Sequence, residues 1–253
     1  MAGPMDLISK LMGGTVERPA HLGRPLVTLS YAQSLDGSLS ARRGEGLAFS
    51  CPETKLLTHH LRAANDGILV GIGTVLADDP SLSARLAGGP HPQPVVLDRM
   101  LRIPLEARLL MHKERPPWVF CGPDAPENRL LALEALGARV TRVNQEDNSG
   151  LDLHLVLMRL SEFGVCSLMV EGGGKIITSF LKYGLADQAM LTIAPVWVGG
   201  MASINEKLGK RMLYPALRDV HYEQVGRDLV ILGRIGEETY ESSGPVFYGP
   251  SGN

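Results

Sequence analysis

The chain is predicted to fold as one α/β domain, a mixed and mostly parallel sheet flanked by helices and finished by a C-terminal antiparallel hairpin. Three observations predict it. Short runs rich in β-branched or apolar residues alternate with amphipathic runs through the middle of the chain, the pattern of strands joined by helical crossovers. Ile68-Leu69-Val70 and Leu168-Met169-Val170 are apolar without alternation, as in strands buried on both faces. Residues 220–235 instead break at Gly226-Arg227-Asp228, a hairpin turn. With 253 residues the chain can bury a substantial core, and α/β domains of this length form single units.

In chain order, residues 1–22 are an N-terminal extension punctuated by Gly and Pro; Leu7, Leu11 and Met12 have the spacing of a short docking helix. The folded domain spans 23–236. Its strands are expected at 25–32, 67–72, 94–98, 118–121, 139–143, 167–171 and 190–198, each closed by turn-forming residues. Its helices are expected at 52–65, with Leu56, Leu57, Leu61 and Ala64 on one side, and at 128–136, 153–163 and 175–183. Residues 237–253, rich in Ser, Gly and Pro, read as a tail.

Composition excludes several function classes. A net charge of −2 without a basic block argues against nucleic-acid phosphates as partners. Apolar residues are 44% and charged residues 21% of the chain, and the longest apolar stretches fall far short of a membrane span, which predicts a soluble protein. Three widely spaced cysteines without a Cys-x-x-Cys pair, and an N-terminus without the layout of a signal peptide, point to the reducing cytoplasm. The seven histidines provide neither H-E-x-x-H nor zinc spacing, so no metal site is expected. His112-Lys113-Glu114 echoes the H-x-E of zinc deaminases but lacks P-C-x-x-C, and no G-x-S-x-G elbow is present.

Two strand-to-turn corners carry the chemistry. In the first, a buried strand runs into Gly71-Ile-Gly73-Thr74, where missing side chains at Gly71 and Gly73 admit a ligand to the backbone. Thr74 caps the following turn or donates to phosphate, and Asp78, four residues on, faces the same way. The third glycine of a Rossmann fingerprint would fall at Leu76, so that motif fails. In the second corner, Glu171-Gly172-Gly173-Gly174-Lys175 opens a helix whose free N–H groups and dipole attract an anion such as pyrophosphate. A Walker loop is excluded by Met169 and Ile176 at its first-glycine and Ser/Thr positions. Local capping and tight strand-to-helix packing are the structural alternatives for these glycines. Glu171, a carboxylate at the end of a buried strand, needs partners that a polar substrate would supply. Ser34-Leu-Asp36-Gly37 reads as a turn capped by its own carboxylate. Arg62 and Arg85 flank the first corner; a guanidinium suits a sugar phosphate, although solvated surface roles fit them equally.

Taken together, residues 28–37, 58–62, 66–80, 94–98, 170–174 and 193–195 with Gly199-Gly200 resemble the riboflavin-pathway reductase family, and within it the stand-alone fungal and archaeal pyrimidinone 5′-phosphate reductases. The resemblance implies a dihydrofolate-reductase-like fold, a homodimer, and NADPH-dependent reduction of the ribosylamino side chain of 2,5-diamino-6-ribosylamino-4(3H)-pyrimidinone 5′-phosphate to a ribityl chain. It places cofactor contacts at Gln33, at Thr74 and Asp78 beside the cofactor-facing Gly71 and Gly73 read from the residues above, and at Gly172, Gly173, Gly174 and Lys175. Substrate contacts fall at Arg62, Leu82, Arg85 and Glu171. Glu171 is the first candidate for orienting the substrate or handling its proton, and Asp36 the second. Where bacterial members carry a lysine in the first strand, this chain has Ser30, so no role of that lysine transfers. Two other readings stay open: a related reductase acting on another imine or carbonyl in secondary metabolism, and a catalytically silent nucleotide-binding protein.

Overall fold

The computed structural model describes residues 4–13, 23–42, 44–146, 150–208 and 213–239. The helices are α1 (Pro4–Gly13), α2 (Pro52–Ala63), α3 (Ile72–Asp78), α4 (Glu127–Ala135), α5 (Leu153–Glu162) and α6 (Gly174–Lys182). The strands are β1 (Leu26–Ser34), β2 (Ser38–Ser40), β3 (Gly67–Gly71), β4 (Gln93–Leu97), β5 (Trp118–Cys121), β6 (Arg139–Arg142), β7 (Gln145–Glu146), β8 (Gly150–Leu151), β9 (Ser167–Val170), β10 (Gln188–Ala194), β11 (Met201–Ala202), β12 (Leu213–Val225) and β13 (Asp228–Thr239).

Nine strands form one sheet in the order β12-β13-β10-β1-β9-β3-β4-β5-β6. From β10 to β6 every neighbouring pair is parallel. The hairpin β12–β13 adds the antiparallel edge, joined through β10. This is the mixed, mostly parallel sheet that the sequence predicts.

The unbroken apolar runs serve two faces at once. Leu69, Leu168 and Val170 pack with Val156, Leu157 and Leu160 of α5 and Ile177 and Phe180 of α6. The alternate residues point the other way: Ile68 and Val70 meet Val75 of α3, while Met169 packs with Leu57 and Leu61 of α2. Helices thus cover both faces, and each fully buried side chain of this size contributes roughly 1.5–3 kcal/mol. Leu7 and Ile8 of α1 are buried in the α2 cluster, in accord with a short docking helix there. Among the described residues, no helix is long and apolar enough to cross a membrane.

Several boundaries differ from expectation. The strand expected at 190–198 ends at Ala194, because Pro195 has no N–H to give the sheet and the next residues bond elsewhere. Helix α3 follows β3 directly, with Gly71 as its N-cap. The hairpin arms are longer than expected, and β12 carries an irregularity between Arg218 and His221 where Asp219 adopts φ 52°. Asp228 belongs to β13 rather than to the turn, since it pairs with Val225. Its carboxylate accepts from the Cys51 N–H at 2.8 Å and the Thr54 hydroxyl at 2.6 Å, capping α2, whose own N-cap side chain makes no capping bond. Strand β13 continues to Thr239; the remainder of the expected tail, like residues 14–22 of the extension, lies outside the described residues.

Candidate active site

Strands β3 and β9 are parallel neighbours, so the corners at their carboxyl ends stand side by side. Gly71 caps α3 and Gly173 caps α6. A Cβ placed on Gly173 would lie 3.7 Å from the Thr74 hydroxyl, which measures how closely the corners approach. Both line one cavity of about 520 Å³. Gly71, Gly73, Thr74 and Asp78 form one wall and Gly173, Gly174 and Lys175 another. Residues 44–47, Leu97, Arg102 and the Met201–Ala202 strand complete it. A cleft at the carboxyl edge of a parallel sheet is where open α/β folds bind ligands.

The glycines divide by purpose. A Cβ on Gly73 would meet nothing within 4 Å, so this position keeps the cleft open. On Gly71 it would come within 2.9 Å of Ile176 Cγ1, and on Gly172 it would collide with Ile176. Gly174 packs on the carbonyls of Ala202 and Ser203, where a Cβ would stand at 3.0 and 3.2 Å. Gly71, Gly172 and Gly174 therefore meet the close packing of α6, although Gly71 and Gly174 also line the cleft. At the α6 N-terminus the N–H groups of Gly174 and Lys175 have no acceptor within the helix, and Lys175 lines the cleft there.

Thr74 does not cap α3; it stands in the first turn and faces Gly173 across the cleft. Asp78 lies one turn further along the same wall, and burial raises its pKa above the ordinary carboxylate value. The backbone of Gly46 presses so closely on the Asp78 carboxylate that any side chain at 46 would displace it. Gln33 lies behind the cleft, its side-chain oxygen accepting from the Ser203 hydroxyl at 2.8 Å.

On the α2 face, Arg62 and Glu171 meet in a two-pronged ion pair, with Nε to Oε1 at 2.7 Å and Nη2 to Oε2 at 2.6 Å. Each side chain is 15% exposed. The remaining Arg62 nitrogen donates to the Ser83 carbonyl at 3.0 Å. The partner that Glu171 needs is thus supplied within the chain. Burial opposes the charge of Arg62, but the charge and hydrogen bonds of Glu171 prevail and raise its pKa. Leu82 is buried, with φ 50°, and Arg85 is exposed, donating to the hydroxyls of Ser81 at 2.8 Å and Ser83 at 3.3 Å. The four expected substrate residues therefore converge on the segment 81–85. A second cavity, of about 510 Å³, opens beyond Leu82 toward His91 and His112.

Asp36 stands apart from this cluster. It accepts from the Ser34 hydroxyl at 2.7 Å, the Val198 N–H at 2.9 Å, the Ser38 hydroxyl at 2.8 Å and the Gly199 N–H at 2.7 Å. These donors, Ser34 foremost, hold its carboxyl well below the usual range. It is an anion bracing the 195–200 loop and has no proton to give at neutral pH. Arg102 and Gly46 belong to the cleft and were not singled out by sequence; the only local signal was the position of Arg102 four residues after Asp98.

Fold and site define an α/β enzyme with a glycine-lined cleft at the carboxyl edge of its sheet. The RibD C-terminal domain model matches residues 25–231, and the chain belongs to that family. It is 36% identical over 227 residues to the 2,5-diamino-6-ribosylamino-4(3H)-pyrimidinone 5′-phosphate reductase of Debaryomyces hansenii, covering 84% of this chain and 90% of that protein. The reductase of the same name from Archaeoglobus fulgidus is 34% identical over 222 residues, covering 84% and 99%. The chain spans 57% of the length of the Aquifex aeolicus riboflavin biosynthesis protein RibD, to which it is 35% identical. Among solved structures, the riboflavin biosynthesis reductase Rib7 of Saccharomyces cerevisiae superposes with a TM-score of 0.68 at 30% identity, covering 92% of this chain and 99% of that one. The chain is an oxidoreductase of the reductase class, for which the sequence resemblance implies a nicotinamide cofactor. The residues present fit such a group: the open face of Gly73, the free N–H groups of α6 and Lys175 would hold its diphosphate.

Proposed function

We propose that the chain catalyses the NADPH-dependent reduction of 2,5-diamino-6-ribosylamino-4(3H)-pyrimidinone 5′-phosphate to its ribitylamino product in riboflavin biosynthesis. The observation that carries this reading is the pairing of two glycine corners in one cleft with the Arg62–Glu171 cluster at the end of the same strand β9.

A nicotinamide held in this cleft would supply the hydride that reduces the ribose C1 of the opened imine, with solvent supplying the proton to its nitrogen. The chain contributes position. Thr74, Gly73 and the α6 N-terminus would hold the coenzyme, and Asp78 would accept from its hydroxyl groups. Glu171 holds Arg62 planar against the segment 81–85, where Arg85 and the serines around it receive the substrate phosphate. Both Glu171 oxygens are already occupied, so Glu171 acts by orienting Arg62 and substrate. Fixing donor and acceptor in one geometry contributes most of the rate enhancement.

The test is NADPH oxidation by the purified chain with the pyrimidine phosphate as acceptor, together with complementation of a riboflavin auxotroph. Turnover with that substrate and rescue support the reading. Turnover only with other imines or carbonyls identifies a reductase recruited elsewhere, and tight NADPH binding without turnover on any of them identifies a silent nucleotide-binding protein.

A further inference from the structure

We infer that the second cavity, between residues 81–94 and the turn 111–115, is a separate binding site for a small phosphate ester with an apolar body, and that its occupancy weakens substrate binding. Binding there stands on the cavity alone; the effect on turnover rests on the function proposed above.

Two segments wall the cavity, and bonds between them hold it open. Gln93 Nε2 donates to the Pro116 carbonyl at 2.8 Å, and the Arg115 guanidinium donates to the His91 carbonyl. The Arg115 N–H closes its own turn on the His112 carbonyl at 3.2 Å. The 3₁₀ turn before it, Arg108–Met111, is anchored by the buried Leu109 and Leu110. Pro90, Pro92 and Pro94 stiffen the opposite wall, since each fixes its own φ. A preformed space of about 510 Å³ is of the size that takes a small molecule.

Charge gives the class of ligand. Lys113 and Arg115 line the cavity against one carboxylate, Glu114, and residues 111–115 are all exposed, so neither cation is withdrawn into the fold. The Ala84 N–H donates to His91 Nδ1 at 3.2 Å, which leaves the other ring nitrogen as a donor. The Ser81 and Ser83 hydroxyls stand 3.1 Å apart; one donates to the other, and the second proton remains for a ligand. Two cations with hydroxyl and imidazole donors match a doubly charged, acceptor-rich phosphate better than a carboxylate. Leu82, Met111 and the prolines offer apolar surface to the rest of the molecule.

The segment 81–85 is a wall shared with the Arg62–Glu171 cluster. Arg62 donates to the Ser83 carbonyl at 3.0 Å, and Arg85 donates to the hydroxyls of Ser81 and Ser83, the two serines that line the cavity. A dianion in the cavity therefore faces, across these serines, the guanidinium that receives the substrate phosphate in the proposed reading. The two like charges oppose each other, and linkage makes the effect reciprocal and finite.

Calorimetry with phenyl phosphate, inorganic phosphate and phenol on the wild-type chain, Lys113→Glu, Lys113→Gln and Arg115→Gln tests the site, with NMR of the His91 and His112 ring signals to place the ligand. The wild-type chain is expected to bind phenyl phosphate more tightly than either fragment and to shift both ring signals. K113E should weaken binding about tenfold, and K113Q and R115Q several-fold. In turnover of the pyrimidine phosphate, phenyl phosphate should raise KM to a plateau roughly fivefold above its starting value at steady kcat, and K113E without ligand should keep the wild-type KM. No saturable binding, or equal affinity in K113E, overturns the site. A KM that climbs without limit, or a raised KM in K113E alone, places the cavity within the substrate's own seat and overturns its separateness. Absence of turnover with the pyrimidine phosphate removes the proposed function, while calorimetry and NMR still decide the site.

Discussion

Arg62 and Glu171 face each other along parallel edges, guanidinium to carboxylate, from elements 109 positions apart in sequence. Arg62 lies in the last turn of α2, and Glu171 leaves β9 one residue before the glycines that open α6. The pair therefore couples the segment 81–85, through the Ser83 carbonyl, to the corner that would hold the diphosphate in the proposed reading.

Breaking that pair should cost both stability and turnover. R62A and E171A each leave one largely buried charge without its partner, a loss of roughly 3–5 kcal/mol for a buried pair and less here in proportion to the 15% exposure of each side chain. The double variant should lose less than the sum of the singles by on the order of 1–3 kcal/mol. R62K, which lacks the planar fork, should not rescue kcat/KM. Urea melts and steady-state kinetics on the four chains test this; strictly additive losses would show that the pair does not act as a unit.

Gly73 and Gly172 should respond oppositely to alanine. At Gly73 the new methyl group meets no protein atom, so G73A should fold with stability within about 1 kcal/mol of wild type while its NADPH dissociation constant rises. At Gly172 the methyl group collides with Ile176, and the overpacking should cost about 1–3 kcal/mol before any ligand is added. Thermal melts with and without NADPH separate the two effects. A G73A chain that binds NADPH as well as wild type would mean that the cofactor does not approach this backbone.

His59 should make the fold sensitive to acid. It is only 2% exposed, and burial first, then Arg62 and Arg85, lowers its pKa from 6.5 to about 4. The folded chain thus holds a neutral imidazole that the unfolded chain protonates below pH 6.5. Its contribution is intact above that value and is lost as pH falls toward 4, on the order of 2–3 kcal/mol in all. His59→Gln should flatten the wild-type fall in unfolding free energy between pH 7 and pH 4.5. A variant with the same slope as wild type would place the titrating group elsewhere.

Much of the fold was legible because it is written locally. Trp118–Cys121 is a strand by composition and a strand in the structure, and the central apolar runs announce two covered faces. The site was legible as two corners for the same reason, since each is a strand running into glycine. What local pattern does not carry is pairing. Nothing near Cys51 shows that its helix is capped by Asp228, 177 residues away. Nothing near Glu171 shows that Arg62 satisfies it. Arg102 becomes a cleft residue only once β4 is placed beside β3. The purpose of each glycine was equally hidden, because Ile176, which needs the space at Gly71 and Gly172, lies in another turn of chain.

Asp36 provides a separable test of loop bracing as against proton transfer. Its four hydrogen bonds hold Val198 and Gly199 to the turn after β1, and the same loop continues to Ser203, whose N–H donates to the Gly37 carbonyl and whose hydroxyl donates to Gln33. The carbonyls of Ala202 and Ser203 in turn pack on Gly174 at the start of α6. Loosening the brace should therefore reach the glycine corner at the start of α6, the coenzyme site of the proposed reading. Asp36→Asn keeps one acceptor oxygen and turns an amide toward two donors, so it should speed backbone hydrogen exchange at residues 198–203 and raise KM for NADPH several-fold, with kcat changed by less than about a factor of three. Because the carboxyl is held well below its usual range, the wild-type brace persists as pH falls through the ordinary carboxylate range and weakens only under stronger acid. A large loss of kcat in D36N at unchanged KM and unchanged exchange would instead assign Asp36 to the proton-transfer step.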